Sequence, residues 1–567
     1  SGDAPAARFR LAWIRYFDEQ YDGALALLDA IDPKKADKRI LADAAYLRGN
    51  CLLERHKFKE AADAFKAYLD TADAKRYRAD ALLKRGLAAK RAGDNGAAAD
   101  ALERLLAKHA DSPLAPEADY NLADLLAEKN ADQAAVHYRR VAEKHPDHRL
   151  APYALSGLAD LEAKRGKRDE AVAAYGRLAE KYPKSDLAPR ALYRKATLLA
   201  KAKQPAEARA AYEQVAKQYP DHALASDALL GLGLALEAQK AFEEAAGVFR
   251  RLLAGAKDPK TREQATYELA WSLQQAGKQA EAAQAYRQLA DGFPDSPLAA
   301  DAHFHLAEAP YRQKDYAKAV PLYEKALAAG DERLQDKVLY RLGWCRWAQK
   351  KYPEAAALFD RLVKECPKSG LVPEALLQAG EAYAKAGKPS EAIQRLQALT
   401  NAKYKTFEHA AEARFRLGEC QAILGRHDQA LGTFTELEKA FPEYKRMAKV
   451  QFQLGKALYD LKRHDQARKR FRQALAATDT ETAAKSQFYI GETYLAENNP
   501  REALKAYLRV VALWAGYTEW AAAAQFEIGK CYTALGKTQD ARAAYQTVAE
   551  KYKDTKWAEP ARAQLNR

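Results

Sequence analysis

The chain has 567 residues and carries 92 Lys and Arg against 77 Asp and Glu, a net charge of +15. Its 48% hydrophobic content is largely alanine, and together with 30% charged residues and a single Met this is the composition of long helical arrays, which excludes a sheet protein and an adaptable Met-rich groove. No stretch approaches the roughly 18 apolar residues of a membrane-spanning helix, and an excess of positive charge spread over this length favours solubility without dictating fold.

The start, Ser1-Gly2-Asp3-Ala4-Pro5, has neither an initiator Met nor a signal peptide, so a processed product or an excised fragment is expected. From there one pattern runs to the end. A small residue is followed twelve positions later by Ala, and four after that by a large apolar residue, as in Gly49, Ala61, Phe65. In chain order the small anchors are Ala12, Gly49, Gly86, Ala123, Ala159, Ala196, Gly233, Ala270, Ala307, Gly343, Gly380, Gly418, Gly455, Gly491 and Gly529, about 37 residues apart. They define repeats 1 to 15. Only repeat 4 shortens the inner step by one residue, from Ala123 to Ala134.

Each unit reads as two helices, A and B. In repeat 5 helix A is expected over about 150–165 and helix B over 169–182, stopped by Pro183. Glycine recurs in the turn between them (Gly93, Gly277, Gly536), where a helix C-cap needs positive φ. Ser112-Pro113 and Ser296-Pro297 read as N-cap serines ahead of first-turn prolines. Small anchors on A and Ala on B let two backbones approach, and the large residue four positions on fills the space beneath them. No such pair can bury its apolar face alone, so neighbouring pairs must stack.

A small residue on A, Ala and an aromatic on B, then Pro (Pro146, Pro183, Pro220, Pro294, Pro367, Pro442) resembles the tetratricopeptide repeat family over nearly the whole chain. The resemblance implies an all-α fold, a right-handed α-solenoid superhelix of about fifteen helix-turn-helix repeats: a tandem array over 1–554 and a C-terminal capping helix, or the start of a truncated repeat, over 555–567. The unit is about three residues longer than the family's usual one, the extra length lying in links such as Tyr182-Pro183-Lys184-Ser185. In this it resembles the repeats of bacterial envelope proteins, of the outer-membrane assembly lipoprotein and Tol-Pal coordinator type. That implies a periplasmic or outer-membrane-associated setting, with a cytoplasmic one as the alternative.

In this family helix A builds the concave wall. With the anchor as position 8, positions 2, 5, 9 and 12 share one helical face. Position 5 is aromatic in most repeats, which points to inter-repeat packing ahead of a ligand ladder. Positions 9 and 12 vary, and here Trp271, Trp344, Trp347 and Tyr311 join Phe304, Tyr340 and Glu308 in an expected ligand-binding stripe over repeats 8 to 10, with aromatic fill as the competing reading. Pro310 is expected to kink or break helix A beside it. The face leans acidic (Asp80, Asp124, Asp160, Glu308, Glu381, Glu412, Glu419) until the last three repeats, so the basic excess, as at Arg139-Arg140, is expected outside.

Cys51, Cys345, Cys420 and Cys531 share one position two residues after their anchors, a buried slot with no zinc or disulfide spacing. The pairs His145/His148 and His303/His305 lack a third ligand, Gly231-Leu232-Gly233 lacks a preceding strand, and no nucleophile faces a base. The expectation is a non-catalytic scaffold with no cofactor and no metal, holding a protein or peptide segment in its groove. A glycan-binding scaffold for polysaccharide export is the alternative; the acidic lean argues against nucleic acid.

Overall fold

A computed structural model describes residues 4–71, 75–404, 406–478 and 480–566. The opening Ser1 to Asp3 and the final Arg567 lie outside them. Among the described residues there are thirty-one α-helices, one short 3-10 turn and no strand. The first thirty helices form the fifteen A–B pairs. The fold is an all-α solenoid of helical hairpins. It divides into two compact units, residues 1–285 and 286–567.

Within each pair the sequence logic holds at atomic scale. The ring at the large helix-B position lies directly under the anchor of helix A. A Cβ added at Gly49 would come within 2.7 Å of the Phe65 ring, and one at Gly343 within 2.6 Å of Phe359. Phe65, Phe249, Phe359, Phe434 and Phe471 are all fully buried there. Helices A and B of repeat 5 span Ala151–Lys164 and Arg168–Lys181, within a residue or two of expectation.

The A–B turn places one residue in the left-handed region, seven positions after the anchor. Gly93, Gly166, Gly277 and Gly536 hold it with φ between 74° and 82°. His56, Lys203, Lys240, Lys350 and Asn498 hold it too, at φ 56° to 61°, so the turn geometry persists where glycine is lost. Repeat 4 is the exception. Its helix A stops at Leu126, and Asn130, at φ −148°, caps helix B by accepting from the Gln133 amide. The residue missing from its inner step is the left-handed one.

Two expectations are corrected. Ser296 does cap its helix, accepting from the Leu298 amide at 3.0 Å ahead of Pro297. Ser112 does not. Its hydroxyl receives the Leu114 amide at 3.3 Å, but the helix begins only at Ala115, with Pro116 in its first turn. The same link turn recurs with Ser185 and Ser369, and with His148 and His222, whose Nδ1 atoms accept the amides two residues on. Nor does Pro310 break its helix, which runs Pro297–Arg312. The proline sits in the last turn with only two helical residues beyond it, so the bond it cannot donate leaves almost no helix to deflect.

Links also stitch to one another. The hydroxyls of Tyr182 and Tyr219 donate to the carbonyls of Pro146 and Pro183, at 2.7 and 2.8 Å, each one repeat back. A final helix, Ala558–Leu565, buries Ala561, and Trp557 lies 5.5 Å from Phe526.

Gly343→Ala should lower stability by about 1–3 kcal/mol through overpacking against Phe359, with Phe359→Leu restoring part of it; urea unfolding midpoints check both. Cys51, Cys345, Cys420 and Cys531 are free and buried, and burial pushes their thiols up to about 11 or 12. Cys366 is only partly buried. A thiol reagent should therefore label one cysteine in the native chain and five after denaturation, which mass spectrometry counts.

Candidate functional site: the helix-A faces

Helix A presents its varying positions on one face, as expected, but the acidic side chains there are not free. In several repeats position 9 lies beside the helix-B ring of the same repeat. In three repeats where that ring is tyrosine its hydroxyl reaches an acid at position 9: Tyr175 donates to Asp160, Tyr323 to Glu308 at 2.6 Å, and Tyr507 to Glu492. In repeat 6 the partner is Thr197, 3.3 Å from the Tyr212 hydroxyl.

A second contact comes from the next repeat. Arg194, Arg341 and Arg416 occupy position 6, two residues before their anchors, and reach back to Asp160, Glu308 and Glu381 at 3.8, 2.9 and 3.1 Å. Arg416 also holds Glu412 and Glu419. At position 2, Tyr46 and Lys84 hold Asp80. The acidic lean of this face is thus internally neutralised at many points, an inter-repeat ladder that the sequence reading missed. Its signal was available: arginine at position 6 one repeat after an acid at position 9. On helix B, the basic pairs are likewise engaged, Arg139 with buried Glu162 and Arg140 with buried Asp119.

In the second unit the expected stripe is assembled but half-buried. Tyr340 and Trp344 meet edge-on at 6.2 Å, and Trp344 meets Trp347 at 5.9 Å. Both indoles also rest on helix B of their own repeat, Trp344 on Phe359 and Trp347 on Tyr352. Phe304 and Tyr311 pack on Tyr323, and the Arg341 guanidinium lies 4.8 Å over the Tyr311 ring while pairing with Glu308. Glu308, its side chain only 13% exposed, is committed to that network. Trp271 belongs to the first unit, where it meets Phe242 edge-on at 5.5 Å.

Another concavity lies on the helix-A faces of repeats 11 to 13. It encloses about 490 Å³ between Glu381, Arg416, Glu419 and Lys456. Ile423 lines it and is 72% exposed. Position 13, where Ile423 stands, is charged in most earlier repeats, the one sequence sign of this hollow. Burial raises the Glu419 carboxyl, opposed by Arg416.

Among the described residues no group of three or more His, Cys, Asp or Glu is placed to hold a metal, and no helix is long and apolar enough to cross a membrane.

Tetratricopeptide repeat family models match residues 83–149, 156–223, 193–260, 267–333, 377–445, 452–518 and 490–555, and a second model of the same description matches 311–372. The chain belongs to the tetratricopeptide repeat family. It is a protein-interaction scaffold, of a family whose members bind protein partners. Comparison with curated protein sequences returned no match. Among solved structures, Naa15/Naa10 bound to HypK-THB is similar at 15% identity and a TM-score of 0.36, covering 99% of this chain and 96% of that one. A tetratricopeptide repeat protein from Parabacteroides merdae is similar at 16% identity and a TM-score of 0.30, with 48% and 98% covered. The anaphase-promoting complex hetero-tetramer Cut9–Hcn1 gives 14% identity and 0.28, with 86% and 96% covered.

One carboxyl on these faces lies apart from the arginine ladder. Glu237 accepts from the fully buried Ser272 hydroxyl at 2.6 Å, and burial raises it to about 7, with Glu268 adding to the rise. Its proton is held more tightly folded than unfolded. The associated stability is fully present below the ordinary carboxyl range and is lost as pH rises toward 7. Glu237→Gln should flatten the fall in melting temperature between pH 5 and 8, read by calorimetry.

Proposed function

We propose that this chain is a non-catalytic scaffold that holds an extended protein segment along its helix-A faces during assembly of a multiprotein complex in the bacterial cell envelope, periplasmic or associated with the outer membrane. The observation that carries the binding reading is the cluster of Tyr340, Trp344 and Trp347. Three large rings stand half-buried on one short helical face, and two of them, Trp344 and Trp347, occupy positions where most other repeats have Ala or a charged residue. Partly exposed aromatics on a rigid, preorganised helix are the usual anchors of an interface. Phe304 and Tyr311 extend the same face, and Glu308 contributes through Arg341, whose guanidinium it positions. Trp271 offers a separate anchor in the first unit.

The envelope setting is supported by the length of the repeat, about 37 residues, and by its Tyr-Pro-x-Ser links. Residues 1–554 form the binding array in this reading. The helix within 555–567 caps its last apolar face, supported by the burial of Ala561.

Trp344→Ala with Trp347→Ala should cut recovery of the partner at least tenfold in affinity capture from the native cell, while melting falls by only about a few °C. Gly86→Ala, whose Cβ would strike Leu102 at 2.7 Å, serves as a control of similar melting drop placed elsewhere. If that control loses the partner equally, the rings are packing and the site is wrong. A shift of tryptophan fluorescence with oligosaccharides, absent with peptides, would transfer the reading to a glycan scaffold. Fractionation of the native cell tests the envelope assignment.

A further inference from the structure

The missing residue of repeat 4 has a chemical consequence. In repeats 5, 9 and 15's neighbour, repeat 14, the helix-B tyrosine finds a carboxylate at position 9, fifteen residues earlier. In repeat 4 the corresponding pair, Asp124 and Tyr138, is separated by fourteen. Tyr138 is 4% exposed, yet its hydroxyl has no hydrogen-bond partner among the described residues. The ring is buried, but the hydroxyl opens on a hollow, where a ligand can pair with it in place of water.

What faces it is a hollow of about 520 Å³ between the helix-A faces of repeats 4 and 5. Repeat 5 departs from the chain's own pattern there. Position 5, aromatic in most repeats, is Ser156, and position 6 is Gly157, where a Cβ would meet the Tyr138 ring at 2.8 Å. The aromatic has moved to position 2 as Tyr153, which is 50% exposed. Tyr120 lies edge-on to Tyr138 at 5.9 Å. Asp124, Glu128 and Asp160 also line the hollow, against Lys164 alone among cations. Lys90 and Arg194 approach Asp124 and Asp160 from the flanking repeats, but leave those side chains 49% and 40% exposed.

Three tyrosines around an unpaired hydroxyl, beside carboxylates that keep exposed edges despite their flanking cations, are complementary to one kind of side chain. We propose that this hollow is a receptor for an arginine side chain of the extended partner segment. The guanidinium plane stacks on Tyr153, its fork reaches Asp124 or Asp160, and one N–H donates to the Tyr138 oxygen. This rests on the helix-A faces being the partner-binding surface, but it uses the first unit and none of the residues of the Trp344 cluster.

The test uses the full chain and capped glycine–serine nonapeptides with one central arginine, lysine, citrulline or glutamate, read by saturation-transfer NMR. The arginine peptide should bind, lysine more weakly, and citrulline at least tenfold more weakly than arginine, with affinity falling as salt rises. Tyr153→Ala should weaken arginine binding about three- to thirty-fold. Asp124→Asn, at an exposed side chain, provides a second variant should Tyr153→Ala perturb folding. Equal binding of arginine and citrulline, preference for glutamate, or indifference to both substitutions would overturn the proposal. The Trp344→Ala/Trp347→Ala protein is run alongside. Partner capture that depends on those tryptophans while arginine peptides are ignored removes only the hollow; arginine binding without tryptophan dependence removes only the Trp344 site.

Discussion

Everything in this molecule hangs on one close approach. Where the anchor is glycine, helix A and helix B of a hairpin come so near that a side chain there would occupy the space of the opposing ring, 2.6 Å from Phe359 at Gly343 and 2.5 Å from Phe434 at Gly418. The ring therefore fixes the separation of the two helices, and the anchor permits it. The pair still has an apolar face left over, which only the next pair can cover. Stability then accumulates from hairpins and from the interfaces between neighbours, with no central core.

The ring that sets this distance also organises the polar face. A phenylalanine at that position ends the matter beneath helix A. A tyrosine carries a hydroxyl out toward position 9, where it requires an oxygen, and Asp160, Thr197, Glu308 and Glu492 supply one. Those carboxylates then draw in arginine from the following repeat at Arg194 and Arg341. A packing choice on helix B thus propagates through a hydroxyl and an acid to an ion pair between repeats. Such pairs, part-exposed at Arg194 and Arg341, add little to stability on their own.

The hairpins, their anchors, the ring beneath each anchor and the buried cysteine slot were all legible in the sequence, because each is a matter of size repeated at a fixed spacing. Polar partnerships were less so. Position 9 looked acidic and available when read alone. Its neutralisation depends on side chains about fifteen positions ahead on another helix and 33 to 35 positions ahead in another repeat, contacts that no single-helix face reveals. Pro310 misled for a related reason: a proline is costly by its place in the helix, and that place depended on a terminus two residues further on at Arg312. Ser112 pointed to the right link but to the wrong hydrogen bond.

In an array whose regular positions are consumed by building the array, recognition has to come from the positions that depart from the rule. Trp344 and Trp347 replace small or charged residues; Ile423 replaces a charge; Ser156 and Gly157 replace an aromatic and a larger side chain. The loss of one residue in repeat 4 belongs to the same set. Deleting the left-handed turn residue shortens helix A to Ala115–Leu126 and slips Asp124 out of reach of Tyr138, so a hydroxyl that elsewhere closes an internal network is left facing outward. The register error and the hollow lie side by side, and the physics that makes the other repeats self-sufficient makes this one incomplete.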